Sequence, residues 1–288
     1  MGLKNAWRGL FTSKKDAFLQ KRPLRRRAYA GAKTDRLTAS WVTRTTSADQ
    51  EWSSSISTLR SRVHQLVRDN NYAAQAIRLS TNQIVGTGVR LQAQVKKVRG
   101  GKLDTRINEQ IEGQWSMWGR KDSCDVRGVL CFSELERLAI RGMIESGESF
   151  VIIHRRQFGR SKVPFALEVI EADQLDEDYK GTTLEPGNTW RLGIELNQFK
   201  RAVRYAFLTK HPGDSNFTTP AGTKRHVIID AKDVLHLFLP QRPGQHRGIP
   251  WLSSTIQHLH QLDGMIEATL INARASSALM GFITTPEG

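Results

Sequence analysis

The stretch SELERLAIRGMIESGESFVIIH, residues 133–154, changes its hydrophobic period within a few positions. Its first part carries apolar residues at helical spacing, and Ser133 and Glu136 have the S-x-x-E spacing of a capping box. Gly147 stands at the kind of position where a helix commonly ends. The short apolar run that follows, Ser149–His154, is typical of a strand. The stretch therefore predicts a helix that passes into a strand through a glycine.

Helical patterns dominate the chain before this stretch. Leu59 begins one apolar face and Ala73 another, and the polar turn at residues 69–71 between them predicts two helices rather than one. Gly86 ends the second of these helices, and the alternating VRLQAQV of residues 89–95 predicts a strand. Apolar residues three or four apart predict a further amphipathic helix through Leu103, Ile107, Ile111, Trp115 and Trp118.

Strand patterns dominate the chain after it. Val163–Ile170, Trp190–Leu196 and Ala202–Leu208 are predicted strands, and NQFKR joins the last two as a hairpin. HVIIDAKDVLHLFLP, residues 226–240, supplies two more short apolar runs. Helices come first, then mainly antiparallel strands, then a last helix. This order predicts an α+β fold rather than the regular alternation of a doubly wound sheet.

The charge of the chain is concentrated at its N-terminus. The formal net charge is +15, and residues 1–44 contribute 12 Lys and Arg against 2 Asp, a net of +10 that leaves +5 for the rest. Such an arm is typical of segments that meet nucleic acid or an acidic protein surface; a solvated tail without a partner is the alternative. Its densest cations are the candidate DNA-binding or partner-binding residues Lys21, Arg22, Arg25, Arg26 and Arg27.

Several classes of protein fit the sequence poorly. No apolar run approaches ~18 residues, so we expect no membrane span, and the N-terminus lacks the apolar region of a signal peptide. Cys124 and Cys131 match neither a disulfide framework nor a zinc site, so we expect reduced thiols in an intracellular protein.

The acids of residues 168–178 are the one cluster that suggests metal chemistry. Closely spaced carboxylates can hold Mg²⁺, and a basic protein that carries them raises the possibility of a DNA-processing enzyme. A solvated loop after a strand is the favoured interpretation, because EF-hand spacing is absent. His258 and His260 lie on different sides of a helix, and no nucleophile or phosphate-binding motif occurs. We expect no enzyme activity, no metal and no cofactor.

The last helix follows QRPGQHRGIPWL, residues 241–252, the richest loop in prolines and glycines. Its prolines and glycines predict a fixed turn, Trp251 an anchor, and Ser253 or Ser254 a helix cap. The helix itself, Ser253–Phe282, holds one arginine, Arg274, and many small or polar residues. Its apolar residues form only a partial seam, so an ordinary packing helix stays open as an alternative.

Four stretches together resemble the portal proteins of lambda-like tailed bacteriophages. They are LVRDNNYAAQAIRLSTNQIVGTGVRLQ (66–92) with the Trp115–Trp118 helix end; ESGESFVIIHRR with LEVIEADQLD (145–176); DVLHLFLPQRPGQHRGIPWL (233–252); and MGFI (280–283). They cover most of residues 55–283 in the order of the family, and the combination is far more specific than any one of them.

The resemblance implies a structural ring subunit. Such a ring, usually a dodecamer, sits at one capsid vertex, passes double-stranded DNA during packaging and ejection, receives terminase, and becomes the head–tail connector. Major capsid, scaffold and head-completion or adaptor proteins are its implied further partners. The implied places are the virion and, during assembly, the host cytoplasm.

The resemblance also divides the chain into a basic arm (1–50), a wing-like α+β domain (51–250), and a stem helix with the start of a clip (251–288). Arg274 joins the arm as a candidate contact to DNA or partner. Candidate residues of the wing–stem joint or subunit interface are Arg242, Arg247, Pro250, Trp251, Leu259 and Ile266.

Family members continue well beyond this length, so the sequence is expected to be a shortened prophage gene, one piece of a divided gene, or an expression fragment. The rival hypotheses are a Mg²⁺-dependent DNA-processing enzyme and a non-functional prophage remnant that binds nucleic acid.

Overall fold

A computed structural model describes residues 36, 39–43, 45–98, 100–214 and 222–278. Seven helices lie in these ranges: α1 (Ala48–Trp52), α2 (Ile56–Asp69), α3 (Asn71–Val85), α4 (Thr105–Trp118), α5 (Lys121–Cys124), α6 (Phe132–Ser146) and α7 (Ile256–Ala278). The strands are β1 (Glu148–His154), β2 (Ala166–Ile170), β3 (Thr189–Arg191), β4 (Ile194–Leu196), β5 (Ala202–Leu208), β6 (His226–Asp230) and β7 (Val234–Phe238). The α+β prediction is confirmed.

Asn70 separates α2 from α3, as the polar turn predicts. Its backbone is extended, and its side-chain oxygen accepts a hydrogen bond from Ala73 N at 2.8 Å, which caps the new helix. The α2 face that packs inward carries Ile56, Val63 and Val67, all buried. Together with α3, α6 and the base of α7, this face forms one hydrophobic core.

The prediction of a strand at residues 89–95 is wrong. The segment is extended, but its amide groups are bonded to side chains rather than to a neighbouring strand. Val89 N donates to the Glu136 carboxylate at 3.1 and 3.2 Å, and Ala93 N to Glu112 Oε1 at 2.9 Å. Its one β-bridge within the described ranges joins Lys96 to Leu103. Carboxylates on α4 and α6 thus satisfy the donors that a sheet would otherwise have satisfied.

The predicted capping box on α6 is displaced by two residues. The N-cap is Cys131, and Glu134 Oε2 accepts from Cys131 N at 2.8 Å, whereas Glu136 is engaged with residue 89. The C-terminal prediction is confirmed, because Gly147 ends the helix with φ of 89°. The switch from helix to strand therefore occurs at the glycine.

Two antiparallel sheets follow α6, with strand orders β2-β1-β7 and β3-β4-β5-β6. The strand predicted at Trp190–Leu196 is a hairpin instead, because Leu192 and Gly193 both have positive φ, at 50° and 82°. The strand predicted from Val163 begins at Ala166. The predicted β4–β5 hairpin and the two apolar runs of residues 226–240 are confirmed.

The first sheet is covered on both faces. Phe150 and Ile152 of β1 face a core shared with the second sheet, whereas Val151 faces α6 and the aromatic end of α4. In that second cluster Trp118 is buried against Trp115, Phe132 and Phe165. β1 is thus the central strand of this sheet, and Glu148 is its first residue.

The last helix begins later than predicted. Residues 251–255 form turns, so α7 starts at Ile256, and neither Ser253 nor Ser254 caps it. Ile256 is its one buried residue. The predicted end at Phe282 lies outside the described residues.

Candidate functional site

The 241–250 loop connects the second half of the sheets to α7 and is organised around one buried side chain, Gln245. Gln245 Oε1 accepts from Gln241 N at 2.7 Å and from Arg242 N at 3.2 Å. Gln245 Nε2 donates to Arg247 O at 2.7 Å. The amide therefore closes the loop on itself and holds a defined conformation up to the start of α7.

The backbone of the loop packs directly against the backbone at the C-terminal end of α6. A Cβ on Gly147 would lie 2.5 Å from the nitrogens of Ile249 and Pro250, and a Cβ on Gly248 would clash with Gly147. Trp251 N then donates to Ile144 O at 3.1 Å, which is one of the free carbonyls at the C-terminus of α6. Only two glycines permit this approach, which sets where the chain leaves the sheets.

Glu148 lies under this crossing with its side chain fully buried. Its Oε1 receives Arg60 Nη2 at 2.7 Å and Arg247 Nε and Nη2 at 2.8 and 2.6 Å. Its Oε2 accepts from Gly248 N and pairs with His236 Nε2, each at 2.9 Å. One carboxylate thus joins α2, β1, β7 and the loop.

The charge of Glu148 is stabilised by this environment. Burial by itself would raise the pKa of the carboxyl group, but the Arg247 charge opposes that effect, followed by the His236 hydrogen bond. The Arg60 charge acts in the same direction, and the pKa of Glu148 lies far below its ordinary value. The carboxylate stays ionised because all its acceptor directions are occupied.

His236 is the neutral member of the cluster. Burial lowers the pKa of its imidazole below the ordinary value, although the Glu148 hydrogen bond acts against this. A neutral ring that donates from Nε2 to Glu148 carries its free acceptor on Nδ1, which lies 3.5 Å from the Tyr205 hydroxyl. Phe150 and Phe238 each stack on the ring with centroids 4.4 Å apart, which keeps water from it.

Arg60 links the cluster to the acidic loop of residues 168–178. Its Nη1 lies 3.1 Å from Asp173 Oδ1 and 3.0 Å from Glu177 Oε1, and both acids are mostly buried. Asp176 pairs with His226 at 2.5 Å. The prediction of a solvated acidic loop is therefore wrong for these acids, which neutralise buried or half-buried bases. Over the ranges that the structure covers, no group of three or more His, Cys, Asp or Glu could hold a metal ion.

A second set of charges attaches α1 to the same loop. Asp49 Oδ1 accepts from His246 N at 2.9 Å, and Asp49 Oδ2 lies 2.7 Å from His246 Nδ1 and 3.2 Å from Arg191 Nη1. Burial would raise the pKa of Asp49, but these bonds, those of His246 first, hold it below its usual range. Two buried carboxylates, Asp49 and Glu148, therefore hold the consecutive loop residues 246–248.

The structure separates the residues predicted for the joint into two kinds. Arg247 and Pro250 are buried in the loop, and Leu259 packs on the core at the base of α7. Arg242 is exposed and pairs with Glu51, and Trp251 and Ile266 are partly exposed. Arg274 is exposed on α7. The arm residues Lys21, Arg22, Arg25, Arg26 and Arg27 lie outside the described residues.

Sequence reasoning missed the centre of the site. Arg60 carried a readable signal, because it lies four residues after Ile56 and three before Val63, in the apolar face of α2. A cation in such a face has to find a buried acid. Glu148 and His236 carried no comparable signal, since a polar residue at a strand position is normally on the solvent side.

α7 begins next to this site, and most of its side chains are exposed to solvent. Beyond its base, Asn70 Nδ2 donates to Asp263 Oδ1 at 2.7 Å. Met265 is 68% exposed and Ile271 58%, and Leu270 is similarly uncovered. Large contiguous apolar patches on a protein surface are typical of interaction sites. Among the described residues, no helix combines the length and apolarity that a bilayer span needs.

The base of α7 packs on the core of the α+β domain, and the large apolar side chains farther along this helix are exposed. The chain belongs to the lambda family of phage portal proteins: the family described as "Phage portal protein, lambda family" matches residues 34–288.

Curated relatives carry portal names. The chain is 31% identical over 266 residues to the "Probable portal protein" of Halomonas phage phiHAP-1, an alignment that covers 91% of this chain and 50% of that protein. It is 24% identical over 231 residues to "Portal protein B" of Escherichia phage lambda, covering 76% of this chain and 40% of the relative. The chain thus spans about half the length of the curated relatives it matches.

Proposed function

We propose that this chain is a subunit of a phage portal ring through which double-stranded DNA is packaged and ejected. The observation that carries the proposal is α7, an outgoing helix with exposed apolar side chains in a chain of the portal family. In this proposal residues 51–250 form the wing-like domain, residues 251–288 the stem helix and the start of a clip, and residues 1–50 a basic arm. The ring would act as a structural part and not as an enzyme.

The surface chemistry of α7 suits a helix that packs between copies. Leu262, Met265, Ile266, Leu270 and Ile271 are exposed in the single chain, and their burial between neighbours would stabilise a ring. Leu259, closer to the core, would continue the same contact. A ring interface of this kind is richer in apolar area than an ordinary surface.

The few charged side chains of α7 suit a helix that lies near DNA moving through the ring. Arg274 is its one Lys or Arg, against the acids Asp263 and Glu267. Each fixed phosphate contact adds a salt-dependent binding free energy, so a channel lined with many arginines would retard the DNA. The arm cations Lys21, Arg22, Arg25, Arg26 and Arg27 are proposed to contact DNA or an acidic partner.

The same proposal covers the size of the ring, its location and its partners. The ring would be a dodecamer at one capsid vertex, assembled in the host cytoplasm and retained in the virion as the head–tail connector. Terminase, the major capsid and scaffold proteins, and head-completion or adaptor proteins would be its partners. Arg242, Arg247, Pro250 and Trp251 would hold the angle between wing and stem.

Light scattering coupled to size exclusion tests the ring. A species near twelve times 32.5 kDa supports it. The double variant Met265→Ser with Ile271→Ser is expected to abolish assembly without unfolding the chain, whereas Gln261→Ser, an exposed polar position of the same helix, leaves assembly intact. The measurement is repeated on the chain extended by its downstream reading frame. A monomer in both forms, at concentrations where the chain is soluble and folded, contradicts the proposal.

A further inference from the structure

A cluster of unpaired cations lies at the corner where α4 passes into α5. Arg120, Arg160 and Lys162 line a cleft of about 250 Å³ together with Gln114, Ser123 and Ser161. We call this set of three cations the basic corner. Asp122 is the one acid that lines the cleft. All three cations are exposed, and none forms an ion pair with a residue that the structure describes.

Other exposed arginines, such as Arg62, Arg90 and Arg106, also lack an ion pair among the described residues, but in the basic corner three such cations line one cleft. Arg68, Arg141 and Arg155 each pair with a carboxylate within 3.1 Å. Exposed cations without such partners keep their full charge available to a ligand, and their summed potential attracts anions. The basic corner is thus a local excess of two positive charges, three cations against Asp122, in the part of the chain outside the arm.

The loop that carries two of these cations is held in one conformation. Ser161 Oγ donates to Val163 O at 3.0 Å and accepts from Val163 N at 3.1 Å, and Ser161 N donates to Phe158 O at 3.1 Å. Gly159, with φ of 54°, lies so close to the Asp122 carbonyl that a Cβ would clash with it. A loop ordered in advance loses little conformational entropy when it binds a ligand.

The chemistry of the cleft favours phosphate over a protein partner. Protein interfaces depend on buried apolar and aromatic anchors, and Met117 is the one exposed large hydrophobic side chain that lines the cleft. The nearby Phe158 is covered by the Arg156 guanidinium, 4.7 Å from its ring centroid. Arginine, lysine, hydroxyl and amide donors are what phosphate–sugar backbones engage.

We propose that the basic corner binds the phosphate backbone of duplex DNA without reading its sequence. The identity of the polyanion as DNA rests on the portal function proposed above. None of the three cations belongs to α7, so the contact gives the α+β domain its own site for DNA.

The test compares how strongly DNA binding depends on salt concentration in the full chain and in its variants. A short fluorescent DNA duplex of mixed sequence is titrated by anisotropy between about 50 and 200 mM salt. The triple variant Arg120→Gln, Arg160→Gln, Lys162→Gln is expected to reduce the slope of log K against log salt by about 1 per lost phosphate contact. The matched control removes three exposed cations elsewhere: Arg62→Gln, Lys102→Gln and Arg106→Gln. A slope in the triple variant equal to that of the control overturns the proposal.

A second probe separates DNA from an acidic protein. Binding of a poly-glutamate peptide is measured on the same variants; loss of peptide binding with an unchanged DNA slope overturns the proposal in favour of an acidic protein partner. Light scattering on the same samples reports ring formation independently. If the given and the extended chain both stay monomeric and the salt slope of DNA binding falls only in the triple variant, the basic corner is supported and the ring is contradicted. A ring whose salt slope is unchanged in the triple variant does the reverse.

Discussion

The 241–250 loop and α7 follow each other in the chain, yet they differ in how their side chains are satisfied. In the loop, Gln245, Arg247 and Gly248 find every partner within the same chain, around a fully buried Glu148. In α7, large apolar side chains such as Met265 and Ile271 face outward, and Ile256 alone is buried. The side chains of the loop are satisfied within the single chain, whereas the apolar side chains of the helix are left exposed.

The comparison separates residues that stabilise the folded chain from residues that are exposed for contact with other molecules. Removing one partner of a buried ion pair leaves a charge in a low-dielectric interior, so the loop is sensitive to single substitutions. Substitutions on an exposed helix face change the folded chain little. The body can therefore hold the base of α7 rigidly while the rest of the helix stays available for contact with other copies.

The largest effect is expected from Glu148→Ala. Arg60 and Arg247 would remain buried without their shared carboxylate, which costs about 3–5 kcal/mol in the free energy of unfolding. Urea denaturation measures the loss. Glu185→Gln, an exposed acid, serves as the control and should change stability by no more than about 0.5 kcal/mol. A loss from Glu148→Ala no larger than the control would show that the loop does not depend on the cluster.

Gly147→Ala tests the backbone crossing. The added Cβ would lie 2.5 Å from two backbone nitrogens at a φ of 89°, so strain and overpacking together should cost about 3 kcal/mol. Thermal unfolding measures the cost. Gly244→Ala in the loop is the matched control. Its φ is 77°, but no atom lies within 4 Å of the added Cβ. This variant should therefore lose only the conformational cost, about 1–2 kcal/mol. Equal losses in the two variants would contradict the close approach.

Two isoleucines of α7 compare the base of the helix with its exposed part. Ile256→Ala opens a cavity in the core shared with α2, α3 and α6 and should cost about 2 kcal/mol. Ile271→Ala should cost no more than about 0.5 kcal/mol. Both are measured by denaturation at concentrations where light scattering shows a monomer. A large loss from Ile271→Ala would mean that the single chain covers this face.

The smallest effect is expected from the protonation of His236. Its pKa is lowered on folding, so the unfolded chain binds more protons and stability is lost as pH falls below about 6.5, the ordinary pKa of histidine. Glu148, whose pKa is also lowered, adds a further loss at more acidic pH, below about 4.3. His236→Gln should therefore flatten the fall in unfolding free energy between pH 7 and pH 5. Equal slopes in wild type and His236→Gln would contradict the assignment.

Local signals in the sequence were sufficient where the chain satisfies itself within a few residues. Asn70 caps α3 through an amide three residues away, and Gly147 ends α6 because it alone adopts a left-handed backbone there without strain. The α+β order follows from such signals. The capping-box and strand predictions failed together, because Glu136, expected in the capping box, instead bonds Val89, and Glu112 bonds Ala93 of the same segment.

The sequence by itself thus determined most of the longer helices and strands, the α+β class and the family resemblance, since these depend on periodicity and on neighbours along the chain. Only the tertiary structure decided the centre of the site. Arg60, Glu148, His236 and Arg247 are far apart in sequence, and they form one cluster because the sheet, α2 and the loop exclude water from the same small volume. In that volume an ionised carboxylate persists only if several distant donors converge on it.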